Sequence, residues 1–306
     1  MNGPATRTSA GDRWPRRCKK RLLAALSAST NAFLSPREQN AFGILMYHRI
    51  APSPRGVARP PYNVPPDRFE AQLRGLLRRG FEPWPLRKVL EFHRGGQQVP
   101  RRAFVVTFDD GFDNIHQFAW PVLERLKVPA TIFLATAYLD SADPFPMDNW
   151  ELAGSGKVPS ACWRPLTTEH CREMQASGLI ELAAHTHTHQ DFRTSPAIFA
   201  EDLRRCLAEL RRLFGMENAT FAFPFGETTL GFANSGLVSA ARTVGVLCGL
   251  TTESGLVRPV DDRFTWRRLM PEDFDTGASL AAKLSGWHDH LRGMARAMLR
   301  RNESRR

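Results

Sequence analysis

The stretch "FVVTFDDGFDN", residues 104–114, decides how this chain is read. Its apolar opening is what a strand buried on both faces requires, as in a parallel sheet. Asp109 and Asp110 then stand side by side where that strand must end, with Gly111 next. Carboxylates are costly to bury unless a positive group faces them. The rest of the chain has to supply that group.

Outward from this stretch, strand-like and helix-like runs alternate. "AFGILMYHRI" (41–50) reads as a strand ending at Tyr47-His48, and a Pro-rich loop follows it. "DRFEAQLRGLLRRG" reads as a helix with Asp67 as N-cap, Phe69, Leu73, Leu76 and Leu77 on its apolar face, and Gly80 at its end. Further helices are predicted near 86–94, over "QFAWPVLERLKV", and near 167–177, 196–214 and 233–244. The helix over 196–214 places Phe199, Leu203, Cys206, Leu207, Leu210 and Phe214 on one face. Strands are predicted over 103–108, over "ATIFLAT" (130–136), ahead of the histidines of "LIELAAHTHTHQDF", and in "TFAFPFG" and "VLCGLTT". This alternation implies an α/β domain with a parallel sheet, open or closed into a barrel. In both forms the site lies at the C-terminal ends of the strands. His48, Asp109, Asp110, His185 to His189 and Phe223-Pro224 all follow apolar runs. Residues 1–40 read as a basic appendage, 41–275 as the main domain, and 276–306 as a basic helix or tail.

The chain has 306 residues, 42% of them hydrophobic, with a net charge of +11. The positive charge gathers at the ends, in "RWPRRCKKRLLAAL" and "LRGMARAMLRRNESRR". Such ends can rest on a membrane surface of anionic headgroups, so peripheral membrane association is one expected partnership. No nucleic-acid recognition motif accompanies the charge, and no nucleic-acid partner is expected. The five cysteines, at 18, 162, 171, 206 and 248, show no CxxC spacing and demand no oxidising compartment. The apolar part of the N-terminal stretch is short and broken. The expected location is therefore cytoplasmic, with membrane-peripheral placement as the variant.

"AAHTHTHQDF" holds histidines at 185, 187 and 189. In an extended segment all three share a face; in a helical turn His185 and His189 align and His187 faces away. Either geometry lets His185 and His189 hold one metal ion. Two imidazoles and a carboxylate form a common Zn²⁺ set that leaves room for water and substrate. Of Asp109 and Asp110, one would ligate and the other take a proton from water. The same donors suit Co²⁺, Ni²⁺ or Fe²⁺.

At this point the motifs become recognisable. "TFDDG" and "HTHTH" resemble the first two motifs of the polysaccharide deacetylase family, the NodB-homology carbohydrate esterases of family 4. "LMYHRI", "PATIFL" and "FAFPFGE" resemble the branch found in exopolysaccharide loci. The resemblance runs from about residue 42 to about residue 270. It implies a distorted (β/α)7 TIM-like barrel and hydrolysis of an N-acetyl group on a hexosamine of a glycan. It implies Asp109 as general base, and Asp110, His185 and His189 as ligands of a divalent metal, Zn²⁺ first. The Phe225 N–H, after Pro224, would stabilise the oxyanion. Two features depart from the family pattern. Ala222 stands where many members have an arginine, and no late leucine-x-histidine motif is evident. His48 can replace the missing acid, and Arg267 or Arg268 can orient a carboxylate. His187 can simply point outward. Asp148 and Trp150, in the long loop after 136, suit sugar binding through stacking on a ring face, with Pro224 beside them. Two other readings stand: a catalytically silent carbohydrate-binding barrel, and a metal-dependent amidase or esterase acting on a small or lipid-linked acylated substrate.

Overall fold

The computed structural model describes residues 13–34, 36–38, 40–53, 56–57, 60, 62–146 and 160–303. In chain order the elements are α1 (Arg13–Phe33), β1 (Gly43–Tyr47), β2 (Arg49–Ile50), β3 (Asn63–Val64), α2 (Pro66–Leu77), β4 (Glu82–Pro83), α3 (Leu86–Arg94) and β5 (Ala103–Phe108). There follow α4 (Trp120–Leu126), β6 (Ala130–Leu134), α5 (Thr168–Ala176), β7 (Ile180–Ala184), α6 (Pro196–Phe214), β8 (Phe221–Ala222) and α7 (Ser235–Val244). The chain ends with β9 (Gly249–Ser254), β10 (Trp266–Arg268), α8 (Gly277–Leu284) and α9 (Trp287–Glu303). Seven strands run parallel in the order β1-β5-β6-β7-β8-β9-β10, and the two-residue β4 pairs parallel with β5 off this path. The ring closes where Leu269, just past β10, bridges Leu45. There the Met46 N–H donates to the Leu269 carbonyl at 2.9 Å, and the Leu269 N–H to that of Ile44 at 2.8 Å. The fold is thus the α/β barrel of seven parallel strands that the motifs implied.

Side-chain alternation along each strand explains both the core and the site. Ile44, Val105, Phe133, Ala183, Ala222, Leu250 and Trp266 are buried together and fill the barrel. Several are direct register partners, as with Ile44 and Val105, Phe133 and Ala183, and Leu250 and Trp266. The intervening residues, such as Leu45, Phe104, Ile132, Leu182 and Phe221, pack outward against Phe69, Leu73, Phe199 and Leu203 of the helices. Each fully buried Leu, Ile, Val or Phe contributes roughly 1.5–3 kcal/mol. Two steps along the inward-facing set carry the chain from Val105 through Thr107 to Asp109, and one step carries it from Ala183 to His185. One such step leads from Trp266 to Arg268. The inward column that makes the core therefore delivers these polar groups to the C-terminal mouth.

The expected helix over "QFAWPVLERLKV" opens as a π turn, Ile115–Ala119, before α4. Pro121 has no N–H for the carbonyl four residues back, and the turn widens ahead of it. The expected strand "TFAFPFG" is only two residues long, and β10 is a strand that no hydrophobic pattern announced. Residues before β1 form α1, which packs against α8 and α9 and buries Ala24 and Ser27. Among the described residues, no helix is long and apolar enough to cross a membrane.

Candidate active site

Asp109 follows β5 at the barrel mouth and is 1% exposed. The positive group it requires is Arg268, on β10 and 0% exposed. Arg268 donates from Nη1 to Asp109 Oδ1 at 2.6 Å and from Nη2 to Oδ2 at 2.7 Å. Its Nε donates to the Thr251 carbonyl at 2.9 Å. The pair is a two-pronged fork that fixes the plane of the carboxylate. Burial pushes the Asp109 carboxyl up, but the charges of Arg268 and His185 outweigh it and hold the group below its usual range. The sequence had offered Arg267 or Arg268 for this task; the structure selects Arg268, and Arg267 turns to Asp261.

Asp110 lines, with Asp109, a cleft of about 1380 Å³. Its Oδ1 lies 3.4 Å from His185 Nε2 and 3.3 Å from His189 Nε2. One ligand atom from each of the three residues falls within 4.8 Å of the others. Spacings of 3.3–3.4 Å are long for hydrogen bonds. They match the edge of a tetrahedron, about 3.4 Å, around an ion bound at ~2.1 Å. His185 Nδ1 lies 2.8 Å from the Ala222 carbonyl, which holds that nitrogen as the N–H and leaves Nε2 with its lone pair toward Asp110. The donor set therefore fits a divalent cation. Burial opposes the Asp110 charge, yet the two imidazoles beside it hold its carboxyl well below the usual range. Burial lowers and the neighbouring Asp110 raises the His185 imidazole, and the net direction is up.

His187 does not join this group. It turns inward, buried, with Nδ1 2.9 Å from Thr136 Oγ1. The segment is neither strand nor helix here. Thr186 and His189 both have left-handed backbones, at φ +65° and +51°. The His189 N–H donates to Thr186 Oγ1 at 3.1 Å. Asp202 on α6 accepts the N–H groups of His187 at 2.6 Å and Thr188 at 3.1 Å. Among the described residues, seven non-glycine residues have positive φ, and four of them (Tyr62, Asp110, His189 and Phe225) line the cleft. Each such backbone costs on the order of 1–3 kcal/mol, and strain of this kind collects at functional sites.

His48 sits just past β1 with Nε2 3.9 Å from Asp109 Oδ2. Burial pulls its imidazole below the ordinary value, against the pull of Asp110 and Asp109. Its ring stacks on Tyr62 at 4.7 Å and 19° between planes. Tyr62 was not anticipated; its one sequence signal is an aromatic residue within a Pro-rich loop. Phe225 lines the cleft, and no acceptor among the described residues takes its N–H. Gly226, at φ +57°, lets this turn lie against β9, since a Cβ there would stand 2.8 Å from the Thr252 nitrogen. Pro224 is buried behind Phe225 and does not face the cleft. Its contribution is to the turn and not to a sugar-facing wall. Asp148 and Trp150 lie outside the described residues.

A family model for polysaccharide deacetylase matches residues 96–246, which hold the Asp-Asp-Gly turn and the histidine segment. Over that segment, about half of the chain, the protein is similar to the polysaccharide deacetylase family. Its relatives include the poly-beta-1,6-N-acetyl-D-glucosamine N-deacetylase of Staphylococcus aureus (strain MRSA252), 23% identical over 237 residues, or 74% of each chain. IcaB from Ammonifex degensii superposes with a TM-score of 0.66 at 25% identity, covering 80% of this chain and 98% of that one. The Streptococcus pyogenes deacetylase PplD, solved in complex with acetate, shares the fold at a TM-score of 0.66 and 21% identity, covering 81% of this chain and 99% of that one. His48 and Arg268 lie outside the matched range, so the barrel itself joins them to the family motifs.

Proposed function

We propose that this chain hydrolyses the N-acetyl group of hexosamine units in a glycan, releasing acetate and a free amine. The observation that carries this reading is the buried Asp109–Arg268 fork set beside the Asp110, His185 and His189 cluster. A binding-only barrel has no use for a carboxylate held ionised, immobile and next to a metal-type site. A divalent ion held by Asp110, His185 and His189, Zn²⁺ before Co²⁺, Ni²⁺ or Fe²⁺, would supply an acidified water and polarise the amide carbonyl.

The chain's own residues then divide the work. Asp109, oriented by Arg268, accepts a proton from the attacking water. The Phe225 N–H faces the carbonyl oxygen as negative charge develops on it. His48 rests neutral because of its burial, takes up the proton that Asp109 has accepted, and delivers it to the departing nitrogen. His48 Nε2 stands 3.9 Å from Asp109 Oδ2, a separation that one water molecule would bridge for this relay. Tyr62, Phe145, Phe225 and Phe232 give the cleft aromatic walls suited to a sugar ring. Together with the named relatives, these walls favour an N-acetylglucosamine polymer or its precursor over a small acyl amide.

The test is acetate release from N-acetylglucosamine oligomers by metal-stripped protein, with and without added Zn²⁺ or Co²⁺. The expected result is metal-dependent acetate that disappears in Asp109→Asn. Stoichiometric metal binding with acetate only from simple acyl amides would overturn the glycan reading in favour of another amidase.

A further inference from the structure

The helix α1 presents two unlike faces. Inward, Ala24 and Ser27 are buried, and Arg17 and Lys20 pair with Asp273 and Glu272. Outward, Leu22, Leu26 and Phe33 are 63%, 53% and 87% exposed. Their spacing of four and seven residues sets them in one line along the helix. Leu34, just beyond, is also exposed, and so are Met294 and Met298 on α9, which packs against α1. Several large apolar side chains exposed on adjacent helices are unusual on a surface that meets only water. The α1 segment carries six Lys or Arg residues and no Asp or Glu. In α9, Arg292, Arg296, Arg300 and Arg301 face a count of two acids, Asp289 and Glu303.

We propose that the outer faces of α1 and α9 dock on an anionic lipid surface. Leu22, Leu26 and Phe33 would enter the boundary between headgroups and acyl chains, and the exposed Lys19, one turn before Leu22, would meet the headgroups. Charge decides between this occupant and a second copy of the chain. Self-pairing through α1 would set two wholly basic helices against each other, whereas anionic lipid neutralises them. Docking has a consequence for the site. Lys20, Leu23 and Ala24 of α1, with His288 and Arg292 of α9, line the cleft from the inside. Only about one helix diameter, ~10–12 Å, would separate the cleft wall from the lipid. A glycan held at or leaving that surface would be the matching substrate; this last step alone rests on the deacetylase reading.

The experiment is co-sedimentation of the full chain with vesicles of phosphatidylcholine plus phosphatidylglycerol, and with phosphatidylcholine alone, at low and high salt. Light scattering on the lipid-free protein runs in parallel. Binding is expected only to the anionic vesicles and to weaken with salt. It should fall by roughly tenfold or more in Leu22→Ser/Leu26→Ser/Phe33→Ser. All three side chains are more than half exposed, so the melting temperature and acetate release from a soluble oligomer should stay at parental values in the variant. Absence of binding at low salt would overturn the proposal. So would binding that the triple variant leaves intact, which would place contact elsewhere. A dimer in light scattering that the same substitutions dissociate would assign these side chains to a second copy. Vesicle binding is read without catalysis, so failure of the activity reading and failure of docking are separate outcomes.

Discussion

Asp109 keeps its charge although almost wholly buried at the edge of the cleft, and Arg268 makes this possible. Because both carboxylate oxygens are occupied, the two residues behave as one unit. Removing one partner of a buried pair leaves an uncompensated charge, at about 3–5 kcal/mol. Arg268→Ala should therefore show a clearly lower midpoint in a denaturant melt. Arg268→Lys keeps the charge but loses the fork. We expect it to fold, with kcat reduced about 10–100-fold and KM nearly unchanged, because orientation and not substrate contact is lost. A rise in KM at constant kcat would assign Arg268 to substrate binding. For Asp109→Asn the expected loss in acetate release is on the order of 10²–10⁴ with the melting temperature maintained. A variant with parental turnover would remove Asp109 from the mechanism.

At the level of elements, the histidine segment works because α6 holds it. Asp202 satisfies two of its N–H groups, and Thr186 satisfies a third. Outer partners of this kind are commonly worth 10–100-fold in metal affinity. Asp202→Ala should weaken Zn²⁺ binding by about that factor in a calorimetric titration, and an unchanged affinity would show that the loop holds itself. The opposite end of β7 carries Glu181, inside the barrel with Arg87, Thr131 and Thr220. Burial pushes its carboxyl above the ordinary range despite these partners. The folded value then exceeds the unfolded one, so the folded state binds the proton more tightly. The stability this contributes is present below the unfolded value, about pH 4.3, and is lost as pH rises through the folded value. Glu181→Gln does not ionise, so its melting temperature should gain on the parent's as pH is raised from about 4 to 7. A gap that stays constant with pH would show that Glu181 has no such shift.

For the whole molecule, closure of the barrel and the seating of α8 decide where the cleft walls stand. α2 crosses α8 at Gly75 and Gly277, where a Cβ on Gly277 would lie 2.3 Å from the Gly75 Cα. Gly277→Ala should force this crossing apart at a cost of about 1–3 kcal/mol, read as a lower melting temperature. An unchanged melt would mean that the crossing yields freely. Much of this architecture was legible in the chain. The bounds of β5, α3 and α6 agree with the apolar patterns of 103–108, 86–94 and 196–214, because those segments bury a face of regular period. The two aspartates and the histidine segment also announced themselves, since polar residues at the end of an apolar strand need a reason. The sequence by itself thus determined the strand–helix alternation, the family motifs and the end of the sheet at which the site lies. Only the tertiary structure decided that Arg268, 159 positions away, is the partner of Asp109. A three-residue strand shows no period, and many other arginines compete for the role on paper. Only the structure excluded His187, because left-handed residues at 186 and 189 follow neither the strand nor the helix period. Only the structure stacked Tyr62 on His48 and brought α1 to the cleft. Barrel closure selects the Asp109–Arg268 contact, the β2–β3 pair sets Tyr62 beside His48, and packing on α8 and α9 seats α1; each joins separate segments of the chain, which no local pattern contains.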